Sequence, residues 1–166
     1  MTHDLAALFA EYHASLVRVL TRRTGDRDRA EDLAQEVFAR AVATPPLNPR
    51  PWLFAVALNL VREEGRRAAR QERRLTLLQA ASPAPAPAPD AALDAEEQRQ
   101  AVRHALDSLA ERDREALLLK AEGFSYGEIA ETLGLAPGAV GTTLARARRR
   151  LVEAYRAQEA NRDVAS

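Results

Sequence analysis

The residues able to act on a partner are arginines, and they fall in two runs. Residues 50–74 hold seven (50, 62, 66, 67, 70, 73 and 74) against Glu63, Glu64 and Glu72, a local net of +4. Residues 141–156 hold five (146, 148, 149, 150 and 156) against Glu153, again +4. Between them, 81–100 carries Arg99 against Asp90, Asp94, Glu96 and Glu97, a net of −3. The whole chain balances, with 24 basic and 24 acidic residues. A guanidinium forks onto phosphate and pairs two-pronged with guanine, so two basic patches suit a polyanion. Solvated helix faces carry the same kind of charge, and charge alone leaves both readings open.

Other chemistries find little support. The chain has no cysteine, which removes disulfides and thiolate metal sites. Its three histidines, His3, His13 and His104, lack i,i+4 spacing and a nearby acidic ligand pattern, so no metal is expected. No nucleophile–base constellation or glycine-rich phosphate loop is present, so neither an enzyme nor a cofactor is expected. No apolar run reaches membrane-spanning length, and Asp4 stands where a signal peptide needs basic residues. The expectation is a cytoplasmic protein without membrane insertion.

The elements that position the arginines are expected to be helices. Apolar residues make up 46 % and charged residues 29 %, with few β-branched or aromatic side chains. Ser82-Pro83-Ala84-Pro85-Ala86-Pro87-Ala88-Pro89-Asp90 removes alternate backbone donors and fixes φ, so it reads as an extended spacer. The expected organisation is an N-terminal helical domain over 1–75, a flexible linker over 76–94, a C-terminal helical domain over 95–160 and a disordered tail over 161–166. An all-α protein of two small domains follows.

In the first domain one helix is expected over 5–23, with Leu5, Leu8, Phe9, Leu16 and Leu20 on its apolar side, ending at Thr24-Gly25. A second starts at Asp28-Arg29-Ala30-Glu31, an acidic cap with Glu three residues on. Ala30, Leu33, Ala34, Val37 and Ala41 form its stripe, with Asp32, Glu36 and Arg40 opposite. After Thr44-Pro45-Pro46, Pro51 opens a third helix, buried at first and strongly basic beyond Val61.

In the second domain helices are expected over 95–109 and 111–122. Ser125-Tyr126-Gly127-Glu128 is a capping box for a short helix to Leu133. Gly134-Leu135-Ala136 turns the chain, and Pro137 starts a final helix to about Tyr155. Short helix, glycine turn, second helix is the helix-turn-helix pattern, although any two packed helices in a bundle share it. Val140, Leu144, Ala147 and Leu151 fall on one side, which leaves Thr142, Arg146 and Arg149 pointing outward, as in a recognition helix.

Two blocks resemble the extracytoplasmic-function branch of the sigma-70 family. Gly25-Asp26, Ala30-Glu31-Asp32-Leu33-Ala34-Gln35-Glu36-Val37-Phe38, Trp52-Leu53-Phe54-Ala55-Val56-Ala57-Leu58-Asn59-Leu60 and Arg66-Arg67 are similar to sigma region 2. Leu106-Asp107-Ser108-Leu109, Arg112-Asp113-Arg114-Glu115, Phe124 through Gly134 and Val140 through Leu151 are similar to region 4. Both blocks, in order, cover nearly all the chain outside the linker.

The resemblance implies a sigma factor that binds core RNA polymerase and directs promoter-specific initiation, with promoter DNA and an anti-sigma factor as further partners. It assigns Asp32, Gln35, Glu36 and Arg40 to the polymerase. It assigns Trp52, Asn59, Arg62, Arg66, Arg67 and Arg70 to the minus-ten element, and Ser125, Thr142, Thr143, Arg146 and Arg149 to the minus-thirty-five element. Each has a plainer alternative. The charges at 32, 36 and 40 make an ordinary i,i+4 ladder, Trp52 fits a core, and Asn59 fits a satisfied buried amide. The chain departs from the family in two places: the segment 44–50 is shorter and richer in proline, and positions 141 and 143 lack the usual cations. The first departure bears on recognition of a flipped minus-ten base, and the second implies weak duplex affinity or an unusual sequence preference. The competing functions are a dimeric helix-turn-helix regulator and a sigma paralogue that reads DNA poorly.

Overall fold

The computed structural model describes residues 4–76 and 94–165. His3, Ser166 and nearly all of the expected linker, the proline-rich stretch included, lie outside them. Every regular element among the described residues is helical. They run α1 (Leu5–Thr24), α2 (Arg27–Ala43), α3 (Pro49–Thr76), α4 (Asp94–Asp107), α5 (Glu111–Ala121), α6 (Tyr126–Leu133) and α7 (Val140–Ala165), with a single 3-10 turn (Pro137–Ala139) leading into α7.

Local chemistry sets the boundaries. Asp4 caps α1 by accepting from the Ala6 amide, and Gly25, at φ +74°, takes the left-handed conformation that ends it. The cap of α2 is Asp26, which accepts from the Arg29 amide, whereas Asp28 lies in the first turn. The capping box of α6 is complete: Ser125 Oγ accepts from the Glu128 amide, and the Glu128 carboxylate accepts from the Ser125 amide. Gly134, at φ +66°, makes the turn between α6 and the last helix. The final helix exceeds expectation, because α7 continues to Ala165. Residues 161–165, expected as a tail, are therefore helical, and Arg162 pairs back with Glu97 of α4 at 2.6 Å.

The expected stripe of α2 is buried as a set, Ala30, Leu33, Ala34, Val37 and Ala41, with Phe38 beside it. On α1 the stripe is narrower than expected. Leu8, Leu16 and Leu20 are buried, while Leu5 and Phe9 are half-exposed. Phe9 instead stacks on His13 with ring centres 4.3 Å apart and lies against Phe38.

One finding shapes the rest. The two sequence units share a continuous apolar core, from Leu8 and Phe54 on one side to Ala116, Phe124 and Leu144 on the other. Phe54 of α3 and Phe124, between α5 and α6, are both fully buried and meet edge-to-face at 4.8 Å. Such a pair adds about 1 kcal/mol beyond its area.

Candidate nucleic-acid interface

Helix α2 presents its polar side outward. Asp32, Gln35, Glu36 and Arg40 are all exposed, as a docking face requires. Glu36 and Arg40 form the i,i+4 pair at 2.8 Å, and Asp32 has only Arg29, at 4.0 Å. Their side chains remain half-solvated or more, so the ladder contributes only tenths of a kcal/mol and stays available to a partner.

Along α3 the assigned residues divide. Arg66, Arg67 and Arg70 are exposed and have no carboxylate within ion-pair distance among the described residues. Asn59 is exposed, not the buried amide that its apolar neighbours suggested, and accepts from Arg62. Trp52 is half-buried against the core, so its alternative as a packing residue holds for at least part of the ring. Arg62 differs from all of these. Its side chain is 23 % exposed and its guanidinium forks onto Glu115 of α5, Nε at 3.1 Å and a second nitrogen closer still. The hydrogen bond it donates to Glu115 raises the Arg62 pKa above its ordinary value.

In the C-terminal helices one assigned residue, Thr143, needs correction, and another, Arg146, is already paired. Thr143 is 6 % exposed, so it packs inward and cannot meet a duplex while α7 is seated. Arg146 is held two-pronged by Asp113 of α5, at 2.6 and 3.2 Å, which raises its pKa through that hydrogen bond. Arg150 approaches the same carboxylate at 3.4 Å. Arg146 therefore serves the packing of α5 on α7. Thr142 and Arg149 are exposed, with Arg148 beside them, and carry the outward face. Ser125 is exposed as well, although its hydroxyl is engaged as the cap of α6. A Cβ at Gly141 would lie 3.6 Å from the Tyr126 ring, an ordinary contact.

Asp113 and Glu115 are the residues that sequence reasoning passed over. Both are 0 % exposed, charges that proteins bury only when paired. Two residues apart on a helix, they point about 200° apart, one toward α7 and the other toward α1 and α3. Arg23 of α1 also converges on Glu115 and on Glu111, at 3.6 and 3.5 Å. Burial, and then the adjacent Arg114 guanidinium, lower its pKa. Arg50 is the second junction. It covers the Phe124 ring at 4.1 Å, pairs with Glu128 at 3.2 Å and donates to the Glu122 carbonyl at 3.0 Å. The short segment 44–50 thus ends on α6, where Asn48 also donates to Glu131 at 3.0 Å. Asp113 and Glu115 stand in the wholly charged run Glu111-Arg112-Asp113-Arg114-Glu115, which the resemblance to region 4 includes from Arg112 on but which gives no sign of burial.

No group of histidines and acids among the described residues could hold a metal, and no described helix is long and apolar enough to cross a membrane.

Comparison with known proteins supplies the context. The model of Sigma-70 region 2 matches residues 8–71, and that of Sigma-70, region 4 matches residues 99–151. The ECF RNA polymerase sigma factor EcfG of Rhodopseudomonas palustris is 37 % identical over 134 residues, 77 % of this chain and 72 % of that protein. SigL of Mycobacterium tuberculosis, another ECF sigma factor, is 34 % identical over 150 residues, 84 % of this chain and 82 % of its own. Among solved structures, RpoE in complex with the anti-sigma factor NepR from Bartonella quintana superposes with a TM-score of 0.66 at 29 % identity, covering 89 % of this chain and 94 % of the other. CnrH in complex with the cytosolic domain of CnrY gives 0.65 at 27 %, covering 92 % and 88 %.

Proposed function

The chain belongs to the extracytoplasmic-function family of RNA polymerase sigma factors, and on that premise we propose where it meets its partners. The exposed face of α2, with Asp32, Gln35, Glu36 and Arg40, docks on core RNA polymerase. The basic length of α3, with Asn59, Arg62, Arg66, Arg67 and Arg70, meets the minus-ten element, where a cationic groove suits single-stranded DNA. Trp52 lies at the start of the same helix and takes part only through its exposed portion. Helix α7 meets the minus-thirty-five duplex with Thr142 and Arg149, Ser125 lying beside them. The division near residues 76 and 94 separates the two promoter-reading units.

The observation that carries this reading is the combination of both region matches, in order, with outward-facing polar sets on α2 and α3. The chain supplies binding only, and the chemistry of RNA synthesis stays with the polymerase, in the cytoplasm. With Thr143 buried and Arg146 engaged, α7 offers fewer free groups than α3, so the minus-ten contact contributes the larger share of DNA affinity. An anti-sigma factor of the kind bound to RpoE and CnrH is a further proposed partner.

The test is co-elution of the purified chain with bacterial core RNA polymerase on a sizing column. Stoichiometric co-elution that Asp32→Arg with Glu36→Arg abolishes is the expected result. A chain that elutes alone and binds duplex DNA as a dimer would replace this reading with a helix-turn-helix regulator.

A further inference from the structure

The ion pairs between the two units are one-sided. Arg18 and Arg22 meet Glu122, Arg23 and Arg62 meet Glu111 and Glu115, and Arg50 meets Glu128. Each cation comes from α1 or α3, and each anion from α5, α6 or the turn joining them. The N-terminal unit therefore presents an arginine face, and the C-terminal unit covers it with carboxylates.

The key contact is Arg62 on Glu115. A carboxylate in fork geometry offers a guanidinium two oxygens, as a phosphodiester does. Glu115 is fully buried and takes the fork of Arg62, and a third N–H donates to Asn59, so in this arrangement Arg62 cannot offer its two-pronged edge to a nucleic-acid phosphate. One turn further along α3, Arg66 faces solvent with no such partner among the described residues. The arginines thus divide at the edge of the C-terminal unit and not by position along the helix.

We propose that the glutamates of α5 and α6 act as an internal substitute for DNA phosphate, so that the packed arrangement of the two units and the seating of single-stranded promoter DNA on Arg62 exclude one another. The proposal rests on the sigma-factor reading. Free cations at 66, 67 and 70 give DNA a first attachment, and full engagement requires α5 to leave α3. A closed population of nine in ten lowers apparent DNA affinity by about tenfold, because only the open fraction binds.

The full chain lacks cysteine, so Ala39→Cys on α2 and Ala157→Cys on α7 accept a dye pair without competing sites. Energy transfer and the affinity for a labelled single-stranded DNA oligonucleotide are read in the same sample. The expected result is that Glu115→Gln lowers transfer and raises DNA affinity by about tenfold, and that saturating DNA lowers transfer in the parent chain. Glu111→Gln with Glu128→Gln, at partly exposed positions, gives the same direction with less burden on folding. Unchanged transfer and affinity in both variants would overturn the proposal. So would opening without a gain in affinity, which would make the pairs structural only. Co-elution of the parent chain with core polymerase, run in parallel, reports separately on the sigma-factor reading.

Discussion

Arg62 and Arg66 lie one turn apart on α3, yet the first is clamped on a buried carboxylate and the second stands in solvent. Residue type and helix are the same. The difference is what lies opposite: α5 reaches Arg62 and stops short of Arg66. Charge read along a sequence therefore measures capacity for anions, and the fold decides which part of that capacity is already used.

The comparison breaks most visibly through the apolar contact beneath the clamped half. Phe54→Ala should cost about 3–5 kcal/mol in denaturant unfolding, since a fully buried ring leaves a cavity in the core common to both units. Leu75→Ala, on the half-exposed end of the same helix, should change stability by less than about 0.5 kcal/mol. Equal losses would show that α3 is uniformly supported.

A second contrast is electrostatic. Glu115→Ala leaves Arg62 and Arg23 crowded without their shared anion and should cost about 3 kcal/mol. Arg66→Ala with Arg67→Ala should leave stability within about 0.5 kcal/mol while reducing the salt slope of single-stranded DNA binding by about 1.4, roughly 0.7 per phosphate contact. The same logic separates two arginines of α7. Arg146→Ala leaves the buried Asp113 with Arg150 alone and should lower the unfolding midpoint. Arg149→Ala should leave stability unchanged and weaken duplex binding by about 1–3 kcal/mol if it reads a base. Titration of duplex DNA beside thermal unfolding distinguishes the two.

The smallest effect is one of pH. The Ser125 backbone amide, helped by Arg50, holds the Glu128 carboxyl below its ordinary value. A depressed carboxyl pKa stabilises the fold above its unfolded value, and that contribution disappears as pH falls through the folded value. Acidification should loosen the α3–α6 contact, and Glu128→Gln should flatten that limb of the stability curve. A variant with the parent's acid limb would assign the titration to another group.

Much of this was legible in the sequence because it is local. The α6 capping box, the glycine ends of α1 and α6 and the stripe of α2 follow from spacing alone. The outward set on α2 follows from the same periodicity. What was not legible depends on partners far along the chain. Nothing near Glu115 announces Arg62, 53 residues away, and nothing near Asp113 announces Arg146. Thr143 was assigned to DNA by the resemblance but packs inward once α7 is seated, and residues 161–165 continue α7, where Arg162 pairs with Glu97. The cap at Asp26 rather than Asp28 is a smaller miss, since two acids stood within one turn of the true start.

The central claim is promoter selection on behalf of the polymerase, and reconstituted transcription tests it most directly. Core RNA polymerase, this chain and a library of promoter fragments should yield a defined set of start sites that vanishes when the chain is omitted or carries Asp32→Arg with Glu36→Arg. Initiation at the same sites with and without the chain would contradict the account.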